Sequence, residues 1–163
     1  MAAESEESIV TIEVCSRDEA GEILSSPDRR ADVTYVVSIG NPEDQPPAGF
    51  GMVENKLRLT FQDAIDHTGP TYADVQRIID AARTLPGGTA RVIIHCAAGI
   101  SRSAAAAVIF HVVRLGPGHE REAVARVLEQ RPIAQPNRRI IAMADDLLEL
   151  DGALVKAVNA ARE

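Results

Sequence analysis

The sequence predicts an α/β fold: a central, mostly parallel sheet flanked by helices, with a helical cover built from the C-terminal part of the chain. Two observations predict it. Residues 33–39 and 91–94 are apolar and β-branched over most of their length, the pattern of strands buried on both faces. Strand-like and helix-like segments also alternate until residue 101, and every periodic segment after that is helical. At 163 residues the chain is read as one domain over 9–163, preceded by a flexible acidic tail at 1–8.

The elements follow in order. Residues 9–14 alternate apolar and polar and form the first strand. Ser16 is placed to cap a helix over 17–25, with Asp18 and Glu19 in its first turn, and Pro27 ends it. After the strand at 33–39, Gly40-Asn41-Pro42 makes a turn. Residues 43–52, with two prolines and two glycines, have no period and read as a solvated loop. A second reading of that loop is a rim over the site, with Phe50 as the aromatic able to stack there. Residues 56–61 alternate as a strand, and 62–69 form a polar loop. A helix opens at Pro70 or Thr71 with Tyr72, Val75, Ile78, Ile79 and Ala82 on one face, and Pro86-Gly87-Gly88 stops it. Further helices are expected at 102–115, closed by Gly116-Pro117-Gly118, at 120–130, at 138–150 behind an Asn137 cap, and at 153–161.

Composition narrows the function. The net charge of −7 argues against general nucleic-acid or anionic-membrane binding, which needs a basic face. No apolar run approaches the ~20 residues that span a bilayer, and the N-terminus has no signal-peptide core. Two cysteines, Cys15 and Cys96, make no disulfide framework, and Cys15 reads as strand packing. A reactive thiol needs a reducing compartment, so the cytoplasm is expected. The four histidines lack partners at metal-ligand spacing, so no metal and no cofactor are expected.

The chain is organised around Arg91-Val92-Ile93-Ile94-His95-Cys96-Ala97-Ala98-Gly99-Ile100-Ser101-Arg102-Ser103. A buried strand runs into small residues and a glycine, then into the Ala-rich helix. Successive N–H groups of such a loop, Ala97 to Ser101, can form an anion-binding nest, and the helix start adds its dipole and free N–H groups. Arg102 adds a planar fork matched to phosphate oxygens. The same field favours the thiolate of Cys96, a nucleophile aimed at a bound phosphorus.

His95-Cys96, five residues, Arg102 and Ser103 resemble the signature loop of the cysteine-dependent protein tyrosine phosphatases, and HCAAGISRS resembles their dual-specificity branch most closely. Arg131-Pro132-Ile133-Ala134-Gln135-Pro136-Asn137 is a second resemblance, although Arg138-Arg139-Ile140 stands where the family usually has Gly-Phe. The two arginines either face the pocket mouth or are solvated, and the second reading is preferred.

The resemblance implies a dual-specificity phosphatase-like fold and a cofactor-free phosphate monoester hydrolase. Its substrates would be phosphotyrosine, with phosphoserine or phosphothreonine, in proteins. Cys96 would attack, Arg102 and the loop would hold the phosphate, and Ser103 would steady the sulfur as leaving group. His95 would order the loop from behind, and Asn137 would support it. It also implies an Asp general acid about thirty residues before the Cys, where Asp63 and Asp66 both stand; Asp63, directly after the strand, is preferred. Alternatives are a phosphatase of small non-protein phosphates, an oxyanion or sulfur-transfer enzyme, and a non-catalytic phosphate-binding module. The loop interior has no lysine, which argues against a lipid headgroup, and aromatics at 3% weaken a strict phosphotyrosine pocket.

Overall fold

The computed structural model describes residues 9–85 and 88–161. The tail expected at 1–8 and most of the Pro86-Gly87-Gly88 stop lie outside the described residues. Four strands, β1 (Val10–Cys15), β2 (Tyr35–Gly40), β3 (Lys56–Thr60) and β4 (Ala90–His95), form one sheet in the order β1-β4-β2-β3. Every pairing is parallel, so the expected "mostly parallel" sheet is wholly parallel. Register aligns the carboxyl ends: His95 lies opposite Cys15 on one side and Ser38 on the other, and Gly40 lies opposite Thr60. The loops leaving all four strands therefore emerge along one edge, the edge where open parallel sheets bind ligands.

Side-chain alternation sorts each central strand between two cores. Val37, Ile39, Val92 and Ile94 face the larger one. It is covered by α3 (Tyr72–Arg83), α4 (Arg102–Leu115), α5 (Glu120–Gln130), α6 (Arg138–Leu147) and α7 (Ala153–Ala161). Val36 and Ile93 face the smaller one, with Ala20, Ile23 and Leu24 of α1 (Arg17–Ser25). In α4 every residue from Arg102 to Val112 is buried. Ala104, Ala105, Ala106 and Ala107 are all fully buried, so small side chains let this central helix lie close to its neighbours. Among the described residues no helix is long and apolar enough to cross a membrane.

The helix starts obey local capping chemistry. Ser16 Oγ accepts from the Glu19 N–H at 3.1 Å, and Glu19 Oε1 accepts from the Ser16 N–H at 2.7 Å. Thr71 and Asp74 do the same for α3. Three expectations need correction. Pro27 does not merely end α1: it is the first residue of a short helix, α2 (Pro27–Arg30), capped by Ser26. The helix expected to run to residue 150 stops at Leu147, because Glu149 and Asp151 both take φ 54°. The Asp145 carboxylate then accepts from the N–H groups of Gly152, Leu154 and Val155, which starts α7. Finally, Phe50 lies in a 3₁₀ turn, Phe50–Met52, and packs against the smaller core with the Lys56 ammonium 5.7 Å from its ring centroid. It is a packing residue of the α1 face, so the reading of Phe50 as an aromatic rim is set aside.

Candidate active site

The residues singled out in the sequence meet at the carboxyl edge of β4. His95 is the last residue of the strand, Cys96 follows, residues 97–101 curl, and α4 begins at Arg102. The direction of this curl can be read from its carbonyls. The Cys96 carbonyl accepts from His95 Nδ1 at 2.9 Å and that of Ala97 from the Arg17 N–H at 3.0 Å. Ala98 and Gly99 carbonyls accept from Arg131 Nη2 and Nε at 3.1 and 3.0 Å. Those of Ile100 and Ser101 accept from the N–H groups of Gln135 and Asn137 at 2.7 and 3.1 Å. Every carbonyl from Cys96 to Ser101 is thus turned outward and satisfied. The N–H groups of Ala97, Ala98, Ile100 and Ser101 have no protein partner among the described residues, and because each trans peptide unit points its N–H opposite its carbonyl, they turn to the concave side.

Gly99 makes the curl feasible. It takes φ +71°, and a Cβ there would lie 2.5 Å from the Cys15 carbonyl carbon and 2.8 Å from Arg131 Nη2. The first obstacle is strand backbone and cannot retreat, and moving the second would release the arginine that clamps the loop. Arg131 also pairs with Glu19 at 3.0 Å, so α1, the loop and the segment after α5 are tied at one side chain.

Cys96 is 3% exposed, with its Sγ 3.0 Å from Ser103 Oγ. Burial alone would push its thiol pKa up. The hydroxyl and N–H of Ser103, the N–H of Gly99 and the charge of Arg102 outweigh burial and hold it below the ordinary value. Cys15 shows the contrast: without such donors, burial first and then the nearby Glu19 and Glu13 push it to about 12, so it stays a thiol.

Arg102 is 4% exposed. Its Nη1 donates to Asn41 Oδ1 at 2.8 Å and to the Phe61 carbonyl at 2.7 Å, fixing the guanidinium between the ends of β2 and β3. Its Nε is buried without a partner, and among the described residues no carboxylate pairs with it. A buried cation without a carboxylate partner is costly, and its charge acts on the nearby Cys96 thiol.

The two candidate acids differ in what they touch. Asp63 Oδ1 accepts from Ser101 Oγ and from Asn137 Nδ2, both at 2.8 Å. Its Oδ2 has no partner among the described residues. Asp66 Oδ1 accepts from the N–H and hydroxyl of Thr68 at 2.9 and 2.6 Å, and those bonds hold its carboxyl below the usual range. Asp66 is thus engaged within its own loop, whereas Asp63 is bonded to the Cys96 loop. Asn137 is the joint: its N–H meets the Ser101 carbonyl, its Oδ1 caps α6 through the Ile140 N–H at 3.0 Å, and its Nδ2 holds Asp63. Among the described residues no cluster of three or more His, Cys, Asp or Glu side chains is placed to hold a metal ion.

The sequence pattern did not reveal the support behind His95. Ser38 Oγ lies 2.6 Å from His95 Nε2, and Arg58 Nη1 donates to Ser38 Oγ at 2.8 Å. Burial first, then the charges of Arg58, Arg17 and Arg102, push the His95 pKa down to about 4 against the Cys96 carbonyl bond, so the ring is neutral near pH 7. A carbonyl only accepts, so Nδ1 carries the proton and Nε2 accepts from Ser38. The chain Arg58–Ser38–His95–Cys96 sets one tautomer. Ser38→Ala and Arg58→Met are each expected to free the ring and loosen the Cys96 carbonyl. At ~0.5–1.5 kcal/mol for one such bond, the midpoint of iodoacetate alkylation of Cys96 against pH should rise by about half to one unit. An unchanged midpoint in both would disconnect the chain from the thiol.

No protein-family model matches the sequence. A segment of 68 residues, 42% of this chain, is 41% identical to protein phosphatase Slingshot homolog 3 of Rattus norvegicus, and covers 10% of that protein's length. Human DUSP28 superposes with a TM-score of 0.61 over 87% of this chain and 94% of its own, at 22% identity. The Cydia pomonella PTP-2 phosphatase superposes with a TM-score of 0.62 over 83% of this chain and 84% of its own, at 18% identity. These likenesses establish the fold: the chain has the α/β architecture of the cysteine-dependent dual-specificity phosphatases.

Proposed function

We propose that the chain hydrolyses phosphate monoesters, with phosphorylated proteins as the leading substrate class, through a cysteinyl-phosphate intermediate. One observation carries this reading: a lowered-pKa thiol, outward-turned loop carbonyls and a buried guanidinium with no carboxylate partner converge on the same turn. Packing alone gives no reason to bury an unpaired Arg beside unpaired N–H groups.

The steps follow from the geometry. Loop N–H groups and Arg102 hold the phosphoryl oxygens and stabilise charge developing on them. The Cys96 thiolate forms the S–P bond as the P–O bond to the leaving group breaks, and Asp63 Oδ2 gives that oxygen its proton. Two donors on Oδ1 keep the carboxyl in place, and Oδ2 remains free to carry the proton. Water then attacks phosphorus, Asp63 takes a proton from it, and the S–P bond breaks. Ser103 O–H donates to the departing sulfur, the contact seen at 3.0 Å. A single domain in the reducing cytoplasm, acting on neither nucleic acid nor membrane, completes this reading.

The test is hydrolysis of an activated aryl phosphate by the purified chain, with inhibition by vanadate. The intermediate should be trapped as a phosphate adduct on Cys96 by rapid acid quench and mass spectrometry. Tight tungstate binding without any hydrolysis would favour the phosphate-binding module instead.

A further inference from the structure

Beyond Asn137 the chain continues Arg138-Arg139, and these two residues border a groove of about 420 Å³ with Ile65, Tyr72, Ala142 and Met143. The groove is lined by residues that neighbour the candidate site in the chain. Ile65 lies two residues after Asp63, and Arg138 directly follows the asparagine that holds Asp63.

Its polar groups are unequally committed. Arg139 Nε donates to the Pro70 carbonyl at 2.8 Å, and its charge acts on Asp66 and Tyr72. The Tyr72 hydroxyl donates to Asp146 at 2.8 Å. Asp66, outside the groove's lining, is bonded to Thr68. Arg138 is exposed, and among the described residues its guanidinium makes no hydrogen bond and no ion pair. Beside it Ile65 is 68% exposed and Tyr72 49% exposed, large apolar surfaces on the acid-loop side of the groove. The groove thus offers one uncommitted cation and an apolar wall. It lies on a chain whose net charge of −7 otherwise repels acidic ligands.

We propose that this groove receives the residues flanking the phosphorylated one in a protein substrate, and that Arg138 selects an acidic side chain there while Ile65 and Tyr72 pack its neighbour. This rests on the phosphatase reading and adds a substrate class to it. Charge complementarity argues for the acidic occupant: the groove's lining holds two arginines, Arg138 and Arg139, and no carboxylate. The groove's lining neighbours the site's residues along the chain, Ile65 two positions after Asp63 and Arg138 one after Asn137, which places it where the residues flanking a bound phosphorylated side chain would run.

The experiment measures kcat/KM on phosphopeptides identical except for Glu, Gln or Lys at each flanking position, with an activated aryl phosphate run alongside. The unmodified chain should prefer Glu to Lys at one or more positions by about 2- to 10-fold, the size of an exposed charge contact, mainly through KM. The preference should shrink as salt is raised. Arg138→Glu should reverse it, and Arg138→Ala should abolish it. Circular dichroism is expected to show both variants folded, since the residue is exposed. Hydrolysis of all substrates with no flank preference, or a preference that survives Arg138→Glu, would overturn this inference and leave the phosphatase reading standing. If neither peptides nor the aryl phosphate were hydrolysed, both would fall.

Discussion

Replacing Cys96 by Ser is expected to reduce turnover of any phosphate ester by on the order of 10⁴–10⁶-fold, the scale seen when a nucleophile is removed from a catalytic unit. Tungstate affinity, read by calorimetry, should change little. The two outcomes separate because the sulfur attacks while other groups bind. The outward carbonyls leave loop N–H groups free for an oxyanion, and Arg102 is held by Asn41 and Phe61, not by Cys96. Arg102→Ala should therefore lower tungstate affinity and turnover together, and Arg102→Lys should rescue little, since a point charge does not reproduce the fork. More than trace activity in Cys96→Ser would exclude the covalent route. Loss of tungstate binding in Cys96→Ser, with the fold intact, would move the anion site off this loop.

The fold was largely legible because its signals are local. Alternating runs marked β1 and β3, and continuous β-branched apolar runs marked β2 and β4, each to within one or two residues. Ser16, Thr71, Asn137 and the Gly116 stop marked helix ends, and α1, α4, α5 and α7 begin and end where the pattern placed them. Misses were also local in origin: a proline read as a terminator serves equally at a helix's first position, and α6 ends early where Glu149 and Asp151 take positive φ. The loop from His95 to Ser103 was legible because one stretch of nine residues contains its chemistry.

What surrounds that loop was not legible, because it comes from distant parts of the chain. Arg58 and Ser38 are twenty residues apart and reach His95 only after parallel pairing brings β2 beside both β3 and β4. Asn41 looked like a turn former, yet its side chain positions Arg102. Arg131 stood in view at the head of its motif, but its bonds to the Ala98 and Gly99 carbonyls follow from how α5 packs on α4. Net charge was the least informative signal. The value of −7 conceals a site edge where Arg17, Arg58 and Arg102 lie close enough to act on His95.

Asp63→Asn is expected to slow an alkyl or unactivated aryl phosphate by about 10²–10⁴-fold and an activated aryl phosphate much less. A good leaving group departs without a proton, so only the poor one needs the acid. The same substitution should flatten the alkaline limb of the pH–rate profile, where a functioning acid has given up its proton. The asparagine keeps an oxygen for Ser101 and Asn137 to donate to, so the loop contacts are preserved and the loss reports on the proton. Asp66→Asn should cost little, because that side chain serves Thr68 within its own loop and has no bond to residues 96–103. A thermal-melt comparison separates a folding defect from a chemical one in either variant. The opposite pattern, with Asp66 decisive and Asp63 silent, would mean that the loop at 62–69 rearranges when substrate binds. Equal indifference of both with a poor leaving group would place the acid outside this loop and break the mechanism at its first proton transfer.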